Sequence, residues 1–281
     1  MAREKLSSRL LRRILGDAFI TKSRGTPVRL AVRATVQKVI GFLRFELPGL
    51  PALATYRSYR PDSDYVFDLQ PEFGALRRKW LAKNRQSNGG DLSRLYFLIL
   101  NIKQLFEENV AGDFAELGVF RGNSAAVLAH FARLDGRRVY LFDTFSGFDE
   151  RDLQGIDAGR RAEFKSTSVS AVKRLVGGDG LVSYVAGFFP GSLTPEVYER
   201  SFAFVQLDCD LYEPMKAGLE FFYPRLVPGG MLVLHDYSSS AWAGAKRAVD
   251  EFCLTIFERP ILLPDKSGTA ALRKGGLGFS A

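Results

Sequence analysis

From about residue 91 onward, short apolar runs alternate with segments of helical period. This alternation constrains the fold more than any other feature of the chain. Strands separated by helices pair in parallel, and a parallel sheet has to be covered on both faces. Strands are predicted over 113–117, 138–142, 181–185, 202–207 and 231–235. Helices are predicted to begin near Asn123, Ser168, Thr194, Pro214 and Ala241, and one more at Asp91-Leu92-Ser93-Arg94 ahead of the apolar run Leu95–Leu105. The tail, with Ile261-Leu262-Leu263 and Thr269-Ala270-Ala271-Leu272, suits a closing antiparallel hairpin. The fold class is α/β, a Rossmann-like sheet with helices on both faces, preceded by a helical extension.

That extension covers residues 1–90, and the catalytic domain covers 91–281. Within 3–15, Leu6, Leu10, Leu11, Ile14 and Leu15 fall on one helical stripe, and within 28–45 Val28, Val32, Val36, Val39, Ile40 and Leu43 do the same. Pro48, Pro51 and Pro61 then break the pattern, so 46–75 reads as an irregular connector. Thirteen Lys and Arg against three acidic residues fall in 1–60, which makes this arm the source of the chain's net charge of +8. A basic amphipathic arm suits a lid, an oligomerisation element or a peripheral contact with an anionic membrane, and a homo-oligomer is expected. Nucleic acid is not expected as a partner, because aromatic residues are sparse in the arm and no RNA-binding signature is present. No stretch of 18 uninterrupted apolar residues and no signal-peptide pattern occur, and a cytoplasmic location, peripheral at the membrane if the arm binds lipid, is the expectation. Two cysteines and two histidines leave no disulfide framework and argue against a zinc site built from His and Cys.

The first predicted strand runs into Glu116-Leu117-Gly118-Val119-Phe120-Arg121-Gly122-Asn123-Ser124. Gly118 permits a tight strand-to-helix turn, Gly122 repeats this one turn later, and Asn123 or Ser124 is placed to cap the helix that follows. The spacing is an acid and then Gly-x-x-x-Gly, not the Gly-x-Gly-x-x-Gly that seats a pyrophosphate on a helix N-terminus. S-adenosylmethionine (SAM) has no phosphate and carries an ammonium group that favours a carboxylate such as Glu116. Asp143, at the end of the second strand, is placed to bind both ribose hydroxyls. Thr144 and Phe145 follow it, with Phe145 either against an adenine ring or in the core.

The fourth and fifth strands end at Asp208-Cys209-Asp210 and His235-Asp236-Tyr237. Ligands of open α/β sheets gather at the carboxyl ends of strands, and carboxylates from adjacent ends converge there into a hard-oxygen site suited to Mg²⁺. Asp208, His235 and Asp236 are the expected metal ligands, with Asp208 and His235 also placed for a catalytic role. Tyr212, Tyr237 and Phe188-Phe189 are candidate pocket walls.

Gly112–Gly122, Phe142–Phe148, Asp208–Glu213 and Pro224–Gly230 through Tyr237 together resemble the macrocin O-methyltransferase family, class I metal-dependent sugar O-methyltransferases, over roughly 90–275. The resemblance implies SAM and Mg²⁺ as cofactors and a hydroxyl of a sugar, glycan or glycolipid as acceptor. It places Glu116, Gly118, Gly122 and Asp143 at SAM-binding positions, and His235-Asp236 where the family carries an acidic pair. The histidine and the basic arm depart from the family pattern. The alternatives are a related-fold enzyme of hydroxylase type or a non-catalytic SAM-binding partner. A nicotinamide enzyme is disfavoured by the missing Gly-x-Gly-x-x-Gly and Tyr-x-x-x-Lys.

Overall fold

The computed structural model describes residues 72–83, 91–161, 163–256 and 258–275, all within one unit spanning Tyr59–Ala281. The stripes predicted at 3–15 and 28–45 lie outside the described residues. The strands are β1 (Asp113–Leu117), β2 (Val139–Asp143), β3 (Val182–Ala186), β4 (Phe202–Leu207), β5 (Leu226–Leu234), β6 (Ile261–Leu262) and β7 (Ala270–Arg273). The helices are α1 (Glu72–Ala82), α2 (Leu92–Glu107), α3 (Asn123–Asp135), α4 (Val169–Val176), α5 (Pro195–Tyr198), α6 (Tyr212–Arg225) and α7 (Ala243–Cys253).

The strands form a seven-stranded sheet in the order β3-β2-β1-β4-β5-β7-β6. β1 to β5 run parallel, and β7 pairs antiparallel with both β5 and β6, as the tail pattern predicts. Alternation along each strand divides the core in two. Phe114, Val139, Leu141, Phe204 and Val233 face one side with Leu95, Leu98, Ile102 and Phe131, while Ala115, Leu117, Tyr140, Phe142, Val205 and Leu232 face the other with Leu219, Phe222 and Val249. Every residue of β4 is buried, as a central parallel strand requires.

Three local features differ from the sequence reading. α1 begins at Glu72, inside the predicted connector, and its Leu76 and Trp80 are in the core against α3. The apolar spacing of that short helix was masked by its Arg-Arg-Lys run. β5 starts at Leu226 because the chain pairs before Pro228-Gly229-Gly230 as well as after it; the partner of Phe202 is Leu226 and that of Phe204 is Met231, so the extra residues bulge. The N-cap of α3 is Gly122, with no side-chain cap, so neither Asn123 nor Ser124 performs the capping role. Asn123 Nδ2 instead donates to the carbonyls of Lys79 and Trp80 at the end of α1, and the Ser124 hydroxyl turns back to Glu116. Tertiary partners outcompete the local cap.

Candidate active site

The strand order reverses between β1 and β4, which opens a crevice above their carboxyl ends. A cavity of about 310 Å³ sits there, lined by Gly118, Val119, Phe120, Asp143 and Thr144 on one side and by Asp208, Asp210, His235 and Asp236 on the other.

Gly118 has φ +88°, and a Cβ there would stand 2.0 Å from the carbonyl oxygen of Asp208, so the turn crosses the end of β4 at a distance that excludes any side chain. Gly122 has φ +81° and its Cβ would meet Val172 at 2.7 Å, so it serves the packing of α3 on α4 rather than the cavity. Asp143 ties the turn to β2: its Oδ2 accepts the amides of Val119 (2.7 Å) and Phe120 (2.8 Å), and its Oδ1 accepts the amide of Phe145 (2.6 Å). Phe145 itself is buried in the core and does not line the cavity. The aromatic surface comes instead from Phe120, Phe148, Phe164 and Trp242, whose ring centroids lie 5.1–6.1 Å apart in sequence-distant loops.

Glu116 stands one layer behind the wall. It shares the face of Phe114, pairs in register with Gln206, and is fully buried. Ser124 Oγ and Gln206 Nε2 both donate to Oε1, and Oε2 has no partner among the described residues. Burial pushes its carboxyl up to about 8, with Asp208 and Asp143 adding to the shift and Ser124 and Arg94 opposing it. A buried acid with an orphaned oxygen fits a bound ammonium group nearby, reached through Ser124, which does line the cavity.

At the other end, His235 Nδ1 lies 2.6 Å from Asp208 Oδ1 and 2.7 Å from Asp236 Oδ2. Burial and the Arg94 charge oppose protonation of this ring, but Asp208 and Asp236 outweigh them and lift it to about 10. Asp208 is desolvated, yet His235 and Arg94 hold it below the ordinary carboxylate range. Arg94 Nη1 is 3.2 Å from Asp208 Oδ2, which leaves Oδ1 on the side of His235. Arg94 is placed by the Trp80 ring 4.9 Å beneath its guanidinium and by Asp91 Oδ2 at 3.4 Å. Asp210 has φ +63° and hydrogen bonds with Asp236; burial, then the charges of Asp236 and Asp208, push its carboxyl well up.

Asp208, His235 and Asp236 therefore come together as the sequence predicts, their ligand atoms within 4.8 Å of one another. Two carboxylates and an imidazole converging from two strand ends fit a divalent cation. Sequence reasoning missed Arg94, Asp91 and the aromatic wall. An arginine directly ahead of the apolar run Leu95–Leu100 was the available signal, since a helix that buries this face must pair the charge. Tyr212, Tyr237 and Phe188 are not among the cavity residues; Phe189 is.

A family model described as macrocin-O-methyltransferase (TylF) matches residues 90–268. The chain belongs to the macrocin O-methyltransferase family. It is a SAM-dependent O-methyltransferase, which sets aside the related-fold and non-catalytic alternatives. The 8-demethyl-8-(2,3-dimethoxy-alpha-L-rhamnosyl)-tetracenomycin-C 4'-O-methyltransferase of Streptomyces olivaceus is 30% identical over 196 residues, covering 64% of this chain and 74% of its own. The mycinamicin III 3''-O-methyltransferase of Micromonospora griseorubida is 29% identical over 220 residues, covering 69% of this chain and 85% of its own. The solved structure of the O-methyltransferase NovP matches with a TM-score of 0.58 at 24% identity, over 66% of this chain and 80% of that one, which shows the fold. The sheet is accordingly that of a class I methyltransferase.

Proposed function

We propose that this methyltransferase methylates a hydroxyl of a sugar or glycosylated small molecule, assisted by a divalent cation held by Asp208, His235 and Asp236. The observation that carries the reading is the convergence of those three side chains at one end of a cavity whose other end is the Gly118–Asp143 turn. The Streptomyces olivaceus relative is, by its name, an O-methyltransferase of a rhamnosyl-bearing compound, and this supports the acceptor class.

The cation, Mg²⁺ by the family resemblance, would supply a Lewis acid that lowers the acceptor hydroxyl's pKa. Asp143 holds the glycine turn against β2 and lines the cavity where the cofactor's nucleoside would lie. Glu116, on losing its proton, would offer a counter-charge for an ammonium group, with Ser124, which lines the cavity, bonded to it. Arg94 fixes Asp208 so that one oxygen turns toward the cavity. Asp210 lines the same end of the cavity and joins Asp208 as a carboxylate placed to receive the acceptor proton, while the His235 ring is engaged by Asp208 and Asp236. Bound SAM would supply an electrophilic methyl group, and the cavity between the Gly118–Asp143 turn and Asp208 would hold the acceptor hydroxyl against it. Phe148, Phe164 and Trp242 offer an apolar wall for a sugar ring or an aglycone.

Incubation with isotopically labelled SAM and a panel of glycosides, read by mass spectrometry, tests the reading. Labelled methyl on a sugar oxygen is expected, and its loss on chelation with recovery on adding a divalent ion supports the metal. Transfer that survives both Asp208→Ala and Asp236→Ala overturns the metal site. For the basic arm we propose contact with anionic lipid or acceptor, and unchanged sedimentation with anionic vesicles after deleting residues 1–45 would refute it.

A further inference from the structure

The second nitrogen of the His235 ring is buried and has no hydrogen-bond partner among the described residues. The residue is 8% exposed, and its Nδ1 is committed to Asp208 and Asp236. The same ring lies within 4.8 Å of carboxylate oxygens of Asp91 and Asp265, both buried. Asp91 precedes α2, and Asp265 sits in the β6–β7 hairpin, so neither belongs to the strand ends that form the metal site. Asp265 is held rigidly: its Oδ1 accepts the amides of Gly268 (2.7 Å) and Thr269 (2.9 Å), and its Oδ2 accepts the Thr269 hydroxyl. Asp91 is anchored by Arg94 and by the Lys266 amide, which joins the two carboxylates' loops. Metal-bound histidines usually donate their other N–H to a carboxylate, which sets the tautomer and makes the ligating nitrogen more basic.

We infer that His235 enters the metal site through Nδ1 as a nitrogen ligand, so that the site selects a first-row transition ion over Mg²⁺, with the buried carboxylates of Asp91 and Asp265 standing beside the same ring. The inference rests on the reading of Asp208, His235 and Asp236 as metal ligands. Mg²⁺ demands near-ideal octahedral oxygen coordination, whereas imidazole suits borderline ions. Replacing one carboxylate of an all-oxygen set by imidazole moves the preference in that direction and removes one negative charge from the set.

The test uses full-length protein freed of metal with a chelator. Co²⁺, Mn²⁺ and Mg²⁺ are titrated by calorimetry, and the Mn²⁺-loaded protein is studied by pulsed electron paramagnetic resonance. The expected results are a directly coordinated nitrogen in the Mn²⁺ spectrum and Co²⁺ binding tighter than Mg²⁺ by about a hundredfold or more. His235→Asp removes the nitrogen signal and lowers the Co²⁺/Mg²⁺ affinity ratio by about tenfold or more, with S-adenosylhomocysteine binding as the control for folding. A Mn²⁺ spectrum without nitrogen coupling, or a ratio unchanged in His235→Asp, overturns the inference and leaves the metal-assisted reading standing. No binding of any of the three ions overturns both.

Discussion

Replacing Glu116 by Gln is expected to stabilise the ligand-free protein at alkaline pH and to weaken its hold on the cofactor. The carboxyl titrates near 8 in the folded chain, against 4.5 when solvated, because burial disfavours its charge. The folded state therefore keeps a proton that the unfolded chain has released. The stability linked to that proton is complete below the unfolded value and is lost as pH rises toward 8. At about 1.4 kcal/mol per unit, the loss between pH 5 and pH 8 is of the order of 4 kcal/mol. Gln cannot titrate, and its side-chain oxygen can still accept from Ser124 and Gln206, the two donors that reach Oε1. The two proteins should therefore be similar at pH 5, with the variant more stable by about 3–4 kcal/mol at pH 8. Urea denaturation of both, free of cofactor and metal, at pH 5, 6, 7 and 8 measures this directly. Calorimetry with SAM at pH 7.5 should show weaker binding to the variant, because Glu116 can release its proton to meet the ammonium charge and Gln cannot. Parallel stability curves across pH 5–8 would refute the reasoning, since Glu116 would then titrate as an ordinary carboxyl.

Gly118→Ala places a methyl group 2.0 Å from the Asp208 carbonyl at a positive φ, and a loss of about 3 kcal/mol or more is expected by thermal or urea denaturation. Asp210→Asn should lower kcat by about 10²–10⁴-fold while S-adenosylhomocysteine binding, measured by calorimetry, stays near that of the parent protein. Asp143→Ala strips an acceptor from three backbone amides of the turn and should weaken S-adenosylhomocysteine binding by at least about tenfold, with a lowered Tm. Phe145→Leu should lower Tm by a few degrees and leave cofactor affinity unchanged, whereas Trp242→Ala should raise KM for the acceptor more than for SAM.

Much of this site was legible in the sequence because its determinants are local. A strand followed by Gly-x-x-x-Gly, an acid at the end of the next strand and acids at two later strand ends are each set by short-range turn geometry and by the alternation of strand faces. The parallel sheet puts all those ends on one side, so Gly118, Asp143, Asp208, His235 and Asp236 meet without further information. Tertiary structure alone decided which neighbours those residues acquired. Ser124 binds Glu116 rather than capping α3, and Gln206, ninety positions from Glu116, reaches the same oxygen because the two lie in register. Phe145 went into the core, and Phe164 and Trp242 came to the cavity from loops whose course no periodicity encodes. Arg94 reached Asp208 across 114 positions, and Asp91 and Asp265 reached the far side of His235 from elements the strand pattern does not relate. Spacing along the chain specifies hydrogen bonds within a turn and the face a side chain takes. Which charge ends up buried beside which other depends on how the helices and the closing hairpin pack over the strand ends.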